Sequence, residues 1–458
     1  MFDHLATGST PTLIMLGLCF VLVLAFEFSN GFHDTANAVA TVIYTHSLKP
    51  VQAVVWSALC NFCGVLLGGI AVAYALVEIL PPEVLSPPNG GQAVGMLIAL
   101  FGTALGWNVL TWLFGIPNSS SHALIGALIG IALGSSVRNR HLGQGVEWKA
   151  IIDVLEGLLF SPLLGFVLAL LLFQILKHLL HDKNLFEPPK ESQPPVWWMR
   201  GILILTCTGV SFAHGTNDGQ KSIGLIMLTV IGLLPATFGL NIETPADALH
   251  KLGQDMQVAG SLIQRYGDDQ KTLGVEAASS LQTRLAPLQS IEAVAPPERI
   301  ALRNDVYRVL AELETIGNDG KVPEPDRASA KALHKTTGTI VAYAPWWVRI
   351  LSALALGLGT MIGYKRIVKT LGEKLGKQHL VPAQGAAAEL VAAVLIGGAG
   401  VTGLPVSTTH VVTSGIAGTM VGSGAGLEPK MIWQIVWAWL LTLPVTIVIS
   451  GGLFMLLA

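Results

Sequence analysis

Long stretches free of Asp, Glu, Lys and Arg divide the chain, and short polar clusters interrupt them. Thr10 to Phe26 is the first apolar run, and Asn30-Gly31-Phe32-His33-Asp34-Thr35-Ala36-Asn37-Ala38 follows it at membrane depth. Asn and Gly weaken a helix, so a break is expected at Asn30-Gly31, with helix resuming near Asp34, which would cap it. Val51 to Val77 is long enough to cross a bilayer, which takes about 20 residues. A Pro/Gly-rich loop from Pro81 comes next. Val84 to Val137 is charge-free and holds Gly115-Ile116-Pro117-Asn118-Ser119-Ser120-Ser121-His122. Its length predicts a full span followed by a re-entrant hairpin with that cluster at the tip. Helix is expected again from Gly157 to Leu176, before a charged loop that ends at Arg200.

The second half begins at Gly201. It carries His214-Gly215-Thr216-Asn217-Asp218-Gly219-Gln220-Lys221-Ser222, then a charge-free run to Ile242. Glu243 to Lys335 differs in character: it holds roughly half of the chain's charged residues, of both signs. Leu252, Met256, Leu262, Leu302, Val306, Val309, Leu310 and Leu313 recur there at helical spacing, predicting a soluble helical insertion, a small helical hairpin. Apolar runs return at Trp346-Trp347. Leu390 to Leu427 contains Gly403-Leu404-Pro405-Val406-Ser407-Thr408-Thr409-His410, and Met431 to Ala458 is the last span.

Both polar clusters occur twice and in the same order. Gly31-x-x-Asp34 matches Gly215-x-x-Asp218, with Phe28 matching Phe212. Gly115 to His122 matches Gly403 to His410, and Gly130, Gly134 and Ser135 then match Gly418, Gly422 and Ser423 without a gap. The loop Pro81 to Gln92 lacks Lys and Arg, whereas its counterpart Lys365 to Lys377 is strongly basic, so the positive-inside rule sets the halves in opposite orientations. It also puts the N-terminus and the insertion outside. The expected fold is an all-α polytopic membrane protein of two inverted repeats with broken helices and re-entrant hairpins, plus the soluble insertion. Its parts would be 1–200, the first membrane repeat; 201–242, the start of the second; 243–340, the insertion; and 341–458, the rest of the second repeat.

Composition agrees. Of 458 residues, 52% are hydrophobic and 12% charged, against about 25% charged in soluble domains. No basic patch or arm supports nucleic-acid binding. Cys60-Asn61-Phe62-Cys63 has CxxC spacing but lacks two further soft ligands nearby, so packing explains it better than metal. Met1 to Thr12 has no positive n-region, and the first span reads as retained rather than cleaved.

Polar groups are costly in hydrocarbon and mark a solute or ion pathway. Helix starts inside a membrane present free N–H groups and a positive dipole end to an anion. Four converging helix starts, with hydroxyls from Ser119, Ser120, Ser121, Ser407, Thr408 and Thr409, could replace the hydration shell of a tetrahedral oxyanion. Asn37, Asn217, Gln220 and Lys221 are expected to line the same anion site. Asp34 and Asp218 would repel an anion unless a metal ion, a proton or Lys221 offsets them. Glu27, His33, His122, His214 and His410 are candidates to carry protons.

At these residues the chain resembles the inorganic phosphate transporter (Pit) family, which carries two copies of a Gly-Ala-Asn-Asp-Val-Ala-Asn-Ala-like signature. Here they read Gly31 to Ala38 and Gly215 to Ser222, and the tips Pro117 to His122 and Pro405 to His410 are similar to the family's too. The likeness is greatest to bacterial low-affinity, proton-coupled members. It implies a symporter in the cell (inner) membrane that imports phosphate with a divalent metal, Mg or Ca, and no resident cofactor. Sodium-coupled members have Asn where this chain has Lys221, and a fixed ammonium disfavours Na⁺, so proton coupling is expected. Partners are then phosphate, protons and the bilayer, with a homodimer admitted. A sulfate or other oxyanion permease of the same fold, sodium coupling, a membrane-embedded phosphatase or phosphotransferase, and a channel are the alternatives. The symmetric pairing of polar groups argues against an enzyme.

Overall fold

A computed structural model describes residues 10–77, 79–80, 90–138, 146, 148–188, 194–267 and 271–458. Most of the Pro81 to Gln92 loop and Arg140 lie outside them. The described chain is helical, with one isolated bridge between Gly376 and Leu427. Two compact units form, one from 9–229 and 345–458, the other containing Val230–Ala344.

The larger unit starts with α1 (Thr10–Tyr44), α2 (Pro50–Leu67), α3 (Ala71–Val77), α4 (Gly90–Leu113), α5 (Ser120–Arg138), α6 (Trp148–Leu179) and the short α7 (Lys183–Phe186). Helix α8 (Trp197–Leu233) follows. Among the described residues, seven helices are long and apolar enough to cross a membrane. A pair bent by 53°, Trp346–Thr360 with Lys365–Lys374, makes an eighth. Helix α8 is not among them, because Asn217, Asp218, Gln220 and Lys221 occupy its middle.

The break expected at Asn30-Gly31 is absent. Helix α1 continues through its motif, as α8 does, and Asp34 therefore caps nothing. A glycine inside a helix costs only about 1 kcal/mol relative to alanine, and here close packing offsets it. A Cβ on Gly31 would meet the carbonyl of Leu356, and one on Gly215 the carbonyl of Asn61. The break falls instead in Val51 to Val77, at Gly68-Gly69-Ile70 between α2 and α3.

Within the charge-free stretch expected to hold a full span and then a hairpin, helices α4 and α5 are joined by the non-helical 114–119, and both are long and apolar enough to cross a membrane. The second hairpin, α16 (Pro382–Thr402) and α17 (Thr408–Ser423), is built alike. Gly115 (φ 65°) and Gly403 (φ 81°) both adopt the left-handed conformation where the chain leaves the first arm, a geometry that glycine adopts without steric cost.

Helix contacts come in equivalent pairs that cross between the halves. Helix α1 packs on α14 (Trp346–Thr360), and α8 on α2. Helix α5 packs on the last helix, α18 (Pro429–Leu457), and α17 on α6. Matched glycines permit each approach. A Cβ at Gly359 would fall on the carbonyl of Phe28, and one at Gly64 on that of Phe212; Gly130 and Gly418 likewise abut the carbonyls of Ile447 and Phe166. Nearly all of α5 and α17 is buried, whereas α6 and α18 turn Leu159, Leu163, Val448 and Leu456 outward.

The smaller unit contains α9 (Pro235–Phe238), α10 (Ala246–Tyr266), α11 (Lys271–Leu285), α12 (Pro296–Asn318) and α13 (Glu324–Gly338). Four substantial helices thus replace the expected hairpin, because prolines at 287, 296 and 297 and a polar turn separate α11 from α12. The periodic apolar residues Leu252, Met256, Leu262, Leu302, Val306, Val309, Leu310 and Leu313 are all buried in one core. Arg303 is enclosed beside them, its guanidinium 5.0 Å from the Tyr307 ring.

Gly359→Ala places a methyl against a backbone carbonyl that cannot move away, and overpacking of this kind costs about 1–3 kcal/mol. The variant is expected to melt lower in detergent than wild type, while Gly452→Ala, at an open position, leaves the transition unchanged.

Candidate functional site

The motif faces of α1 and α8 meet the starts of α5 and α17, and the polar groups there bond chiefly to one another. Ser119 and Ser407 are the residues before the first helical turns. Their hydroxyls accept from the backbone N–H of His122 (3.1 Å) and His410 (3.2 Å), as helix caps do. Ser120, Ser121, Thr408 and Thr409 occupy the first turns and point at the motifs.

Asp34 is buried on α1. One oxygen accepts from Ser120 Oγ (3.2 Å), and the other from Asn37 Nδ2 (3.2 Å) and the Thr409 hydroxyl. Asn37 Nδ2 also donates to Thr409 Oγ1 (3.0 Å). Across the centre, Lys221 uses all three ammonium protons: on Asp218 Oδ1 (2.6 Å), Ser121 Oγ (2.5 Å) and the Val406 carbonyl (2.9 Å). Thr408 Oγ1 donates to Asp218 Oδ1 (3.4 Å). The pairing is repeat-equivalent, with Ser120 on Asp34 and Thr408 on Asp218, and with Thr409 on Asn37 and Ser121 on Lys221.

His214 joins the two copies. Its Nε2 lies 3.6 Å from Asp34 Oδ2 and 3.4 Å from Asp218 Oδ2, and its Nδ1 is 2.9 Å from Asn61 Oδ1. Asp34, His214 and Asp218, all buried, offer ligand atoms within 4.8 Å of one another. His214 Nε2 and Asp218 Oδ2 have no hydrogen-bond partner. Two carboxylate oxygens and an imidazole nitrogen, with orphaned atoms facing inward, fit a cation.

Other predicted residues are occupied around this centre. Gln220 clamps backbone, accepting from Val72 N–H (2.9 Å) and donating to the carbonyls of Thr216 (2.7 Å) and Gly400 (3.0 Å). Asn217 Nδ2 donates to the Leu404 carbonyl (3.3 Å), leaving its own oxygen unpartnered. His33 Nε2 is 3.4 Å from Thr111 Oγ1. The rings of His122 and His410 lie 4.2 Å apart, and His410 stacks on Trp439 at 3.8 Å. Glu27 accepts from Asn30 Nδ2 (3.4 Å). Among the described residues, α5 and α17 are the helices that begin at the site, so two helix starts converge there rather than the four expected.

Three site residues escape sequence reasoning. Asn30 accepts from Ser120 Oγ (2.5 Å); it occupies the position that matches His214, which the repeat alignment contains. Asn61 holds His214 and donates to Thr360 Oγ1 (3.1 Å). It lies inside the CxxC spacing, whose cysteines are free. Trp439 carries no motif.

The chain has counterparts among known proteins. The model of the phosphate transporter family matches residues 30–450. The low-affinity inorganic phosphate transporter PitA of Escherichia coli (strain K12) is 39% identical, with 99% of each chain covered. PitB of the same strain is 38% identical over 97% of this chain and 96% of its own. A probable low-affinity inorganic phosphate transporter of Bacillus subtilis is 30% identical over 97% and 98%. A solved structure titled the sodium-dependent phosphate transporter shares the fold at a TM-score of 0.54 and 18% identity, covering 97% of this chain and 99% of that one. The chain is a multi-pass membrane protein of the phosphate transporter family, a transporter of inorganic phosphate and not an enzyme.

Proposed function

We propose that the protein imports phosphate across the cell (inner) membrane by proton symport, accompanied by a divalent metal such as Mg or Ca. The observation that carries proton coupling is Lys221. Its ammonium is fixed by three hydrogen bonds between Asp218 and the second hairpin tip. A tethered cation there repels Na⁺ from the Asp218 oxygen it already occupies. The relative titled sodium-dependent shares the fold alone with this chain.

Charge balance supports the metal. Asp34, Asp218 and Lys221 sum to one negative charge when His214 is neutral. A neutral metal–phosphate complex leaves that sum unchanged, and one proton brings it to zero. The metal, as cargo, would sit against Asp34, His214 and Asp218. The phosphate would take over the hydroxyls of Ser120, Ser121, Thr408 and Thr409 and the N–H groups at the two helix starts. These hydroxyls bond to the aspartates, Asn30 and Lys221, so phosphate would compete with those groups for them. The crossing pairs of helix contacts support two inverted repeats whose tips enter from opposite faces, and rocking of one pair against the other would expose the centre alternately. Among the partners, a homodimer remains part of this proposal.

Uptake of labelled phosphate into liposomes, with Na⁺, Mg²⁺ and pH varied separately, tests coupling. An inward proton gradient is expected to drive accumulation without Na⁺; a requirement for a Na⁺ gradient with indifference to pH would sink the reading. Chelating divalent cations is expected to depress the same uptake. Asp34→Asn should abolish transport in a folded protein. Ser120→Ala combined with Thr408→Ala should raise the apparent KM for phosphate by about thirtyfold, as loss of two hydrogen bonds near 1 kcal/mol each implies; normal uptake in either variant counts against the site.

A further inference from the structure

No phosphate can reach the site without a movement of the fold. Asp34, Ser120, Ser121, Asp218, Thr408 and Thr409 are each no more than 3% exposed. Two short helices abut the hairpin turns that lead to those hydroxyls, and they do so alike. Helix α15 (Lys365–Lys369) follows the 53° bend after α14, and α3 follows the break after α2. A Cβ on Gly115 would meet Arg366 of α15 at 3.8 Å, and one on Gly403 would meet Ala71 of α3 at 3.2 Å. Arg366 and Ala71 stand seven residues after the matched glycines Gly359 and Gly64. The two contacts are therefore repeat-equivalent, and each joins one half to the other.

What fastens them differs. At Gly403 the bonds come from third elements. Gln220 of α8 accepts from Val72 N–H (2.9 Å) and donates to the Gly400 carbonyl (3.0 Å), and Arg349 of α14 donates to the Gly68 carbonyl (2.7 Å). At Gly115 the bent helix and the hairpin bond directly to each other. Trp112 Nε1 donates to the Gly363 carbonyl at the bend, Arg366 Nη1 to the Leu113 carbonyl and Thr370 Oγ1 to the Gly115 carbonyl, each at 2.9 Å. The Arg366 guanidinium also lies 4.6 Å from the Trp112 ring. The repeat puts Gly400, Ala71 and Ala75 at the places of Trp112, Arg366 and Thr370, so the shared scaffold requires none of the three.

Leu113 ends α4, and the last carbonyls of a helix lack partners within it. Capping them would by itself account for Arg366, but two observations point further. The Trp112 ring packs on Phe32 (5.1 Å), two residues before Asp34, and a Cβ on Gly363 would meet Phe32 at 3.0 Å. Bend, turn and first motif thus form one stack. Arg366 is also exposed, so water can replace its bond to Leu113 at small net cost. A contact that opens and closes in every cycle needs that property. Lys365, Lys369, Lys374 and Lys377 beside it assign this end to the cytoplasm by the positive-inside rule.

We propose that α15 is the cytoplasmic gate of the phosphate site and that Arg366 is its latch. With Arg366 on Leu113 and Trp112, the first hairpin turn is held against the bend and the site is shut from the cytoplasm; release of that contact lets the turn part from α15. Arg366 is a positioning residue: it touches neither phosphate nor metal and acts through the turn that presents Ser119, Ser120 and Ser121. The proposal rests on the alternating-access reading and adds the element that opens inward.

The test is Arg366→Gln, with phosphate entry measured from each face in right-side-out and inverted membrane vesicles, at equal pH and with the opposite face free of phosphate. Loosening a cytoplasmic latch populates the inward-facing state. The half-saturating phosphate is therefore expected to rise at the outer face relative to the cytoplasmic face, the ratio of the two increasing by about fivefold. A purely structural role would change both faces alike, and an unmoved ratio overturns the proposal, as does a ratio that falls. Alternating access is checked separately: wild-type uptake is expected to accelerate when the vesicles are preloaded with phosphate. Acceleration in wild type with an unmoved ratio in the variant sinks the latch alone, whereas a wild type without acceleration removes both. If Arg366→Gln does not assemble in the membrane, Trp112→Phe, which keeps a ring against Phe32 and loses the bond to Gly363, is expected to move the ratio in the same direction; an unmoved ratio there is equally fatal.

Discussion

Two carboxylates buried in mid-helix are the constraint around which the membrane unit is built. A bare ion at such depth is prohibitive, so Asp34 and Asp218 must be met by donors that neither parent helix can supply alone. The hairpin starts deliver hydroxyls, α8 delivers Lys221 and His214, and the matched glycines bring the helices close enough for those short side chains to reach. Packing and chemistry are thus one requirement. A side chain at Gly31 or Gly215 would push α1 from α14, or α8 from α2, and take the aspartates away from their partners.

This constraint explains why α1 and α8 remain unbroken. A helix end inside the membrane leaves backbone groups to be satisfied. Satisfying the aspartates through side chains from neighbouring helices leaves both motif helices with complete backbone hydrogen bonding. The hairpins accept the helix ends instead, and Ser119 and Ser407 cap them. Broken ends and buried charge are divided between different elements, which limits the number of polar groups any one of them must hide.

Much of this was legible in the chain. The tips and the motifs stand out because Gly-x-Pro, Ser/Thr runs and charges are rare inside apolar stretches, and their recurrence in order exposes the repeat. The apolar periodicity of the insertion located its core residues. What was not legible depended on contacts between distant segments. Propensity marks Asn30-Gly31 as a break, but the neighbour that keeps it helical is Leu356, more than 300 positions away. Asn61 looked like filler between two cysteines because nothing local says that it faces His214. Gln220 stands as a ligand by its place in the motif, yet it accepts from Val72 N–H in the first turn of α3.

The repeat is symmetric in its scaffold and asymmetric in its charge. Where the first copy has the amides Asn30 and Asn37, the second has His214 and Lys221, and both copies keep their aspartate. The first motif therefore carries a carboxylate with no lysine or arginine of its own, while the second places both Lys221 and His214 against its aspartate. The copies meet across the boundary, with His214 of the second between Asp218 and the Asp34 of the first. Any motion that separates α1 from α8 also separates that imidazole from one of its two acids. Electrostatics at the centre and the relative position of the halves are thereby coupled.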